Sequence, residues 1–419
     1  MYDVKPTAGD TKWFVHDRFG MFIHWGLYSL PARHEWVKSR EQMDDATYEK
    51  YFKHFDPDLY NPEVWAQAAS DAGMKYFVIT TKHHEGFCLW DSKLTDYKAT
   101  NTPYGKDLLH PMVDAFRSKG MKVGFYHSLL DWHHPDYTID ECHPMRENAE
   151  LVAKNSERDL NKYVDYLWGQ THELLTEFGK VDILWYDFSV GASHRFPGKG
   201  KDQWRSEELI KNIRKLQPNI ILNDRLQIDQ DVKTPEQYQP REWVTVNGEK
   251  VVWEACQTFS GSWGYHREES TWKSPEMLIK MLINSVSTGG NLLLNIGPTG
   301  RGEFDERALS ALKAIGEWMK RHNKSIYGCT QAPEKYPCPK EGKYTYNPET
   351  NRLYLHVYDW PFGQIRLDGM AEYVDYIQLL NDASELRYGI DGKNININIP
   401  IIKPNAAIPV VEIYLKSKS

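Results

Sequence analysis

Two acidic residues of this sequence, Asp187 and Glu236, lie where a carboxylate could take part in catalysis. Asp187 lies near the end of the apolar string Val181–Phe188, and alternation along a strand directs Trp185 and Asp187 to the same face. Glu236 lies in a later loop, directly after Pro235, which stiffens the backbone. A retaining glycosidase uses one carboxylate as nucleophile and another as acid/base, about 5–5.5 Å apart. This pattern favours Asp187 as nucleophile and Glu236 as acid/base.

Each carboxylate also has a simpler interpretation. An aspartate after a strand often caps the turn that follows, and a loop glutamate is most often only solvated. Three other glutamates could supply the acid: Glu35, Glu85 and Glu254. A two-carboxylate hydrolase is therefore one hypothesis among three.

The histidines suggest the second hypothesis, a metal-dependent barrel hydrolase. The sequence has 16 His residues, including the doublets His83-His84 and His133-His134. Adjacent strand residues face opposite sides, so a doublet gives one metal two ligands only where the backbone bends. Neither a His-x-His strand nor a His-Glu-x-x-His helix occurs. The third hypothesis is a non-catalytic sugar-binding protein, since a fold does not define a function.

Length and composition restrict the class of protein. At 419 residues the chain is long enough for a large α/β domain and a smaller one. Its 51 basic and 58 acidic residues give a net charge of 51 − 58 = −7, with no long run of one sign. We therefore expect no nucleic acid and no membrane as partner. The 15 Trp, 25 Tyr and 15 Phe suit a carbohydrate protein, because rings offer flat apolar faces to sugars.

The sequence predicts neither a targeting segment nor a membrane span. No apolar run approaches the length of a span, and Met1–Trp13 lacks the basic start and apolar core of a signal peptide. We expect a cytoplasmic protein, or an exported or periplasmic one if a leader was removed before Met1. The five cysteines show no metal-ligand spacing. Cys329 and Cys338 could form a local disulfide, but free thiols are favoured.

The elements that must position these residues alternate between strands and helices. The predicted strands are Phe19–Trp25, Lys75–Thr81, Lys122–Tyr126, Val181–Asp187, Asn219–Asp224, Val251–Ala255 and Asn291–Ile296. The predicted helices are Asn61–Gly73, Asp107–Lys119, Arg158–Phe178, Glu207–Gln217, Pro275–Ser287 and Asp305–Arg321. Ionisable residues follow the strands, at the end where barrel active sites lie. The pattern predicts an α/β fold with a (β/α)8-like, TIM-type barrel.

The last part of the chain has a different pattern. Short alternating runs occur at Leu353–Tyr358, Ile365–Leu367, Ile395–Ile399 and Val410–Leu415, separated by turn residues. They predict a C-terminal antiparallel β-sandwich. We expect a (β/α)8-like catalytic domain over 1–330 and a β-sandwich domain over 331–419, with the seam between Asn323 and Lys340.

Eight strings, in order, resemble one enzyme family. They are FGMFIHWGLYS (Phe19–Ser29), EW (Glu35-Trp36), TTKHHEGFCLWDS (Thr80–Ser92), GFYHSLLDW (Gly124–Trp132), LWYD (Leu184–Asp187), LNDR (Leu222–Arg225), WE…SWGY (Trp253–Tyr265) and LLLNIGP (Leu292–Pro298). Together, from about Trp13 to Arg321, they resemble the glycoside hydrolase family 29 α-L-fucosidases. The resemblance implies a retaining, exo-acting α-L-fucosidase without metal or organic cofactor. Its partner would be a fucosylated oligosaccharide or glycoconjugate glycan.

The resemblance also implies roles for individual residues. The nucleophile of the family's W-x-D string falls on Asp187, and the acid/base of its T-x-E loop falls on Glu236, with Glu35 in reserve. The residues that resemble the fucose-binding set are His24, Glu35, Trp36, His83, His84, Tyr126, Trp185 and Arg225. An apolar pocket for the methyl group of fucose could come from Phe22, Trp185, Tyr126 and Trp263. Linkage preference and oligomeric state are not predicted.

Overall fold

A curled parallel sheet forms the centre of the larger part of the fold. The computed structural model describes residues 4–416. Seven strands pair in parallel in the order β5-β4-β3-β2-β1-β9-β8, while β6 and β7 form a short hairpin. The strands are β1 (Phe19–Ile23), β2 (Tyr76–Lys82), β3 (Lys122–Ser128), β4 (Ile183–Asp187), β5 (Ile221–Leu222), β6 (Thr245–Val246), β7 (Glu249–Lys250), β8 (Glu254–Thr258) and β9 (Asn291–Ile296).

Helices alternate with these strands. They are α1 (Lys12–Asp17), α2 (Val37–Arg40), α3 (Asp45–Lys53), α4 (Pro62–Asp71), α5 (Leu109–Ser118), α6 (Ala149–Ala153), α7 (Leu160–Glu177), α8 (Ser206–Leu216), α9 (Pro275–Ser287) and α10 (Glu306–His322). The side chains of Asn61 and Ser274 accept backbone N–H bonds at the starts of α4 and α9, and each is followed by a proline. Both pairs are favourable helix starts, because the cap satisfies a free N–H and proline lacks one.

The predicted order of parallel strands and helices is confirmed, but one predicted strand is wrong in position. The prediction at Val251–Ala255 is displaced, because β8 begins at Glu254 and ends at Thr258. Val251 N instead donates to Val244 O, and Val252 O accepts from Lys233 N. Val251 and Val252 are buried although they precede the strand. Their apolar side chains therefore indicated a buried segment and not the position of the strand.

The N-terminal end of the sheet is closed, and we call this region the floor of the sheet. It is formed by Tyr76, Glu254 and Asn291, the first residues of β2, β8 and β9. Phe14 of α1 packs against the Tyr76 ring, with centroids 5.3 Å apart, and its carbonyl accepts a hydrogen bond from Asn291 Nδ2 at 2.8 Å. All four side chains are buried.

The gap between β5 and β8 is crossed by an irregular segment, Asp231–Gln237. Single parallel bridges join Asn223 to Val232 on one side, and Lys233 to Trp253 and Glu236 to Cys256 on the other. Because each side has only isolated bridges, no regular strand forms here. This segment carries Glu236 to the C-terminal end of the sheet.

Antiparallel strands make up the last part of the chain. β10, β11, β16 and β13 form one sheet in that order, and β12, β15 and β14 form another. The strands are β10 (Gly342–Asn347), β11 (Arg352–Val357), β12 (Gln364–Leu367), β13 (Val374–Leu379), β14 (Tyr388–Asp391), β15 (Asn394–Asn398) and β16 (Val410–Leu415). Both sheets contribute to one apolar cluster, for example through Leu355 and Ile397. The sequence did not predict β10, β13 or β14.

The antiparallel part contacts the parallel part through α9 and α10. Trp318 Nε1 donates to Ile408 O at 2.8 Å, and Tyr358 OH donates to Asn284 Oδ1 at 2.8 Å.

All five cysteines lie within the described residues and are free thiols. None of the helices within 4–416 is long and apolar enough to cross a bilayer. The two predicted domains include residues 1–3 and 417–419, and the predicted absence of a signal peptide in Met1–Trp13 includes residues 1–3. These six residues lie outside the described residues.

Candidate active site

A cavity opens at the C-terminal end of the parallel sheet. Its lining includes eleven of the twelve residues that the sequence predicts for the site, and the twelfth, Arg225, contacts two of them. The cavity is lined by Phe22, His24, Glu35, Trp36, His83, His84, Tyr126, Trp185, Asp187, Phe188, Glu236, Cys256 and Trp263. Residues from four strands, β1, β3, β4 and β8, and from several of the loops between strands therefore meet at the C-terminal end of the sheet.

Asp187, the last residue of β4, is held by two donors and is 13% exposed. Tyr126 OH donates to Oδ2 at 2.8 Å, and Arg225 Nη1 donates to Oδ1 at 3.1 Å. Burial raises the pKa of Asp187 above its usual value, while Arg225 and the Tyr126 hydrogen bond act in the opposite direction. The side chain is thus a buried carboxyl with a cation beside it.

Arg225 links the two predicted catalytic carboxylates. Its Nη1 bonds to Asp187 and its Nη2 donates to Glu236 Oε2 at 2.8 Å. Thr234 fixes the guanidinium by accepting from Nε at 3.0 Å, and the Trp185 ring lies 4.9 Å from Arg225 Cζ. A planar guanidinium donates in fixed directions, so it sets the relative placement of the two acids. Glu236 is the more open of the two, with its side chain 40% exposed.

His24 presents one defined ring nitrogen to the cavity. Its Nδ1 lies 2.6 Å from Asn295 Oδ1, and Asn295 Nδ2 donates to Trp263 O at 2.7 Å. That second bond fixes the amide so that Oδ1 accepts, which assigns the proton to Nδ1 of His24. Burial, and next the neighbouring His83, lower the pKa of His24 well below its usual value. Nε2 of the neutral ring is left as an acceptor for a hydroxyl.

His83 and His84 both face the cavity although they are adjacent in sequence. The register between β2 and β3 shifts between Thr80 and Lys82, so the backbone is bent where the doublet begins. The two rings lie 4.0 Å apart, and His84 Nδ1 is 2.6 Å from Ser128 Oγ. Burial, and next His83, lower the pKa of His84 well below its usual value, so this ring is neutral.

Glu35 and Trp36 close another side of the cavity. Glu35 is buried and its Oε2 accepts from Gly264 N at 2.8 Å, which holds the carboxylate against the backbone. Trp36 packs edge-on against the ring of His84 at 5.0 Å and at a tilt against the ring of Phe188 at 5.3 Å. Glu35 therefore forms part of the cavity wall.

An aromatic wall faces these polar groups. The rings of Phe22 and Trp185 lie 5.4 Å apart, and Phe22 lies 5.9 Å from both Tyr126 and Trp263. Tyr126 and Trp185 stack with centroids 5.7 Å apart. The indole Nε1 of Trp185 is buried without a protein partner among residues 4–416. The wall is largely apolar, and Trp185 Nε1 is a buried donor on it that no described protein group accepts from.

Three residues of the site were missed by the sequence analysis. Phe188 and Cys256 line the cavity, and Asn295 sets the His24 tautomer. Phe188 has a φ of 74°, which is unusual for a residue with a large side chain and lies directly after Asp187. Phe188 ends the string Val181–Phe188, Cys256 lies inside the span Trp253–Tyr265 and Asn295 lies in LLLNIGP, but none of the three was predicted as a site residue.

Two of the three alternative acids, Glu85 and Glu254, and the second histidine doublet do not line the cavity, whereas Glu35 does. Glu254 is in the floor, where it accepts a hydrogen bond from Tyr76 OH, and Glu85 lies behind His83, with 3.5 Å from Oε2 to His83 Nδ1. The His133 ring stacks on Tyr97 at 3.8 Å instead of facing the cavity. Across 4–416, no three His, Cys, Asp or Glu side chains are grouped to hold a metal ion.

A parallel α/β sheet whose carboxyl end holds two acids in an aromatic, histidine-lined cavity is the kind of site that glycoside hydrolases use. The family model for alpha-L-fucosidase matches residues 5–324. Among relatives, tissue alpha-L-fucosidase of Bos taurus is 26% identical over 95% of this chain and 86% of its own length. Plasma alpha-L-fucosidase of Homo sapiens is 29% identical over 85% of this chain and 78% of its own length.

Solved structures agree with these matches. Alpha-L-fucosidase isoenzyme 1 from Paenibacillus thiaminolyticus is 44% identical, with a TM-score of 0.91 over 97% of this chain and 99% of that one. A family 29 alpha-L-fucosidase from Bacteroides thetaiotaomicron, solved as a trapped covalent intermediate with 2-fluoro-fucosyl fluoride, is 26% identical, with a TM-score of 0.85 over 100% of this chain and 98% of that one. The chain belongs to the α-L-fucosidase family, glycoside hydrolase family 29.

Proposed function

We propose that this chain is a retaining α-L-fucosidase that releases terminal L-fucose from fucosylated glycans, with Asp187 as nucleophile and Glu236 as acid/base. The observation that carries the proposal is the Arg225 guanidinium, which bonds to both carboxylates at 3.1 and 2.8 Å. Family membership favours this activity over a metal-dependent hydrolase or a non-catalytic sugar-binding protein.

In the first step, the Asp187 carboxylate attacks the anomeric carbon and the glycosidic bond breaks. Glu236 gives its proton to the leaving oxygen, so that the aglycone departs as an alcohol. Arg225 and Tyr126 hold the attacking carboxylate by its two oxygens. The product of this step is a fucosyl ester of Asp187, the type of species trapped in the Bacteroides relative.

In the second step, water attacks the same carbon from the face that the aglycone left. Glu236 takes the proton from this water, and the ester bond to Asp187 breaks. Two inversions at one carbon give net retention. Glu236 is suited to a role that needs solvent access, because it is 40% exposed whereas Asp187 is 13% exposed.

Recognition of fucose rests mainly on its hydroxyls. The neutral rings of His24 and His84 and the Glu35 carboxylate present acceptors from different sides of the cavity. The aromatic wall at Phe22, Trp185 and Trp263 suits the methyl group. An apolar pocket rejects an added hydroxyl only modestly, so the polar contacts supply most of the selectivity.

The test is the stereochemistry of the first product. Proton NMR of an aryl α-L-fucoside digest should show α-L-fucose before mutarotation, with β-L-fucose appearing only later. The same digest with a chelator should run at the same rate, and an aryl β-D-galactoside should react far more slowly. An initial β anomer, or loss of activity that added metal restores, would contradict the proposal.

Finer features of the chain are proposed on the same basis. The bridges at Asp231–Gln237 support a (β/α)8-like barrel in which one strand position is filled by an irregular segment. The apolar cluster shared by the two antiparallel sheets supports a β-sandwich. We propose domains over 1–330 and 331–419. We also propose that the protein acts on glycans without a nucleic-acid or membrane partner, and that it is cytoplasmic unless a leader precedes Met1.

A further inference from the structure

A buried ion pair behind the cavity has no role in the mechanism above. Lys82 ends β2, and its Nζ lies 3.1 Å from Asp131 Oδ2, with the two side chains 0% and 2% exposed. Burial acts to raise the pKa of Asp131, but Lys82 and two nearby histidines hold it below its usual value, so the carboxyl is ionised. Burying two charges carries a desolvation penalty, so the pair is weak evidence for stability.

One chain of hydrogen bonds leads from this pair to the backbone of the nucleophile. Lys82 Nζ donates to Tyr163 OH at 3.3 Å, and Tyr163 OH donates to Leu129 O at 2.8 Å. On its other side, Leu129 N donates to Asp187 O at 2.9 Å. The main chain of Asp187 is therefore fixed through Leu129.

A second chain leads to the histidine doublet. Asp131 Oδ1 accepts the backbone N–H groups of the two histidines that follow Trp132, at 3.1 and 2.9 Å, which closes a turn. Within that turn Trp132 N donates to His84 O at 2.8 Å. Gly86 packs so closely that a Cβ there would lie 2.3 Å from Asp131 Oδ1. The turn and the doublet are thus fitted to each other through Asp131.

We propose that Lys82 and Asp131 are positioning residues, whose ion pair holds the backbones of Asp187 and His84 in the arrangement needed for the first displacement. Neither residue lines the cavity, so neither touches the sugar. The inference rests on the proposed function, since it assigns Asp187 as the nucleophile. A displacement of even 1 Å at the reacting atoms is enough to lower a rate about 100-fold.

The chain contains a matched control. Lys199 Nζ lies 2.5 Å from Asp140 Oδ2, and these side chains are 2% and 0% exposed. Tyr137 OH bonds to Asp140 as well, and its ring lies 4.3 Å from Lys199 Nζ. This second Lys–Asp–Tyr cluster is as buried as the first, but it anchors the 138–140 segment to Lys199.

The experiment compares Asp131→Asn with Asp140→Asn in the full chain. The probe is 2-fluoro-fucosyl fluoride, and the readout is the first-order rate constant for its covalent attachment to Asp187, followed by mass spectrometry. The amplitude of labelling gives the fraction of molecules that are folded and competent to react. The rate constant instead reports the geometry of the Asp187 carboxylate in those molecules. We expect Asp131→Asn to lower the rate constant at least 10-fold and Asp140→Asn to change it less than 2-fold.

A double variant separates positioning from stability. Lys82→Met with Asp131→Asn leaves no unpaired buried charge, so its thermal midpoint should lie closer to wild type than that of Asp131→Asn alone. Its rate constant should stay at least 10-fold low, since the anchor is gone. Recovery of both quantities together, or equal rate constants for Asp131→Asn and Asp140→Asn, would overturn the inference. A wild-type chain that is neither labelled nor active on fucosides would instead overturn the proposed function.

Discussion

The two ends of the parallel sheet each hold a carboxyl that is largely shielded from solvent, and the main difference between them is the charge beside the carboxyl. At the C-terminal end, Asp187 has the Arg225 guanidinium at 3.1 Å. In the floor, Glu254 is bonded to the phenol of Tyr76, and no lysine or arginine within residues 4–416 forms an ion pair with it. Burial raises the pKa of both groups, that of Glu254 to about 8.

The comparison shows that burial alone does not make a buried acid reactive. At neutral pH the floor carboxyl is mainly protonated and acts as a neutral hydrogen-bonding group. The active-site carboxyl meets a cation and a phenol donor, which oppose the effect of burial and favour the charge that a nucleophile needs. Four substitutions test this difference.

The largest effect is expected at Asp187, the proposed nucleophile. Asp187→Gly removes the attacking group, so kcat for an aryl α-L-fucoside should fall on the order of 10⁴-fold or more. Azide should restore turnover and give β-L-fucosyl azide, because a small anion fits where the carboxylate was. Azide rescue that yields the α-azide, or a variant with near-normal kcat, would place the nucleophile elsewhere.

The next largest effect is expected at Glu236. Glu236→Ala removes the proton donor, so a fucoside with a poor leaving group should lose roughly 10²–10⁴-fold in kcat/KM. A fucoside with a good leaving group needs little protonation and should lose far less. The measurement is kcat/KM for a series of aryl fucosides of graded phenol pKa. Equal losses across the series would move the acid role to another residue, with Glu35 as the nearest alternative in the cavity.

A smaller effect is expected when the cation is removed from the active-site carboxyl. Arg225→Gln takes away the charge that lowers the pKa of Asp187, so this pKa should rise further above its usual value. Activity requires the ionised form, so the acidic limb of the kcat/KM profile should move to higher pH. Arg225→Lys keeps the charge and is the control. It should lower kcat/KM through lost geometry while leaving the limb nearer its original pH.

The smallest effect on activity is expected in the floor, where the change appears in stability. Because the folded-state pKa of Glu254 is raised to about 8, folding loses stability as pH rises from the ordinary glutamate pKa towards 8. Glu254→Gln should remove this loss, so its stability advantage over wild type should grow by roughly 1.4 kcal/mol per pH unit across that window. Urea unfolding at pH 5 and pH 8 tests this, with kcat/KM expected within 2-fold of wild type. An advantage independent of pH would contradict it.

The helices and strands were predictable where residues at their ends, such as capping residues, prolines and glycines, mark the boundaries. α9 and β9 match at both ends, since Ser274 and Pro275 begin the helix and Gly290 precedes the strand. The string at Leu184–Asp187 located the candidate nucleophile on a buried strand. The floor was not predicted, because the long-range contact between Tyr76 and Glu254 has no local signal.

The site was predicted where family strings identified it and missed where contacts are only spatial. Lys82 lies directly before the histidine doublet, where a lysine at the end of a strand is expected to be exposed to solvent. It is buried because it pairs with Asp131, 49 positions later, and the sequence gives no local signal of that pair. Asn295 was in a quoted string, but its contact with His24 spans 271 positions. The β2 bend that turns both histidines inward likewise depends on pairing with β3.

The irregular segment Asp231–Gln237 has a consequence for local opening. It is held by isolated bridges on both sides, whereas every neighbouring strand except the short β5 has a longer ladder. In native-state hydrogen exchange its amides should lose protection before those of β1 to β4. Since this segment carries Glu236, local opening would move the proposed acid/base while Asp187, the proposed nucleophile, stays on a regularly paired strand.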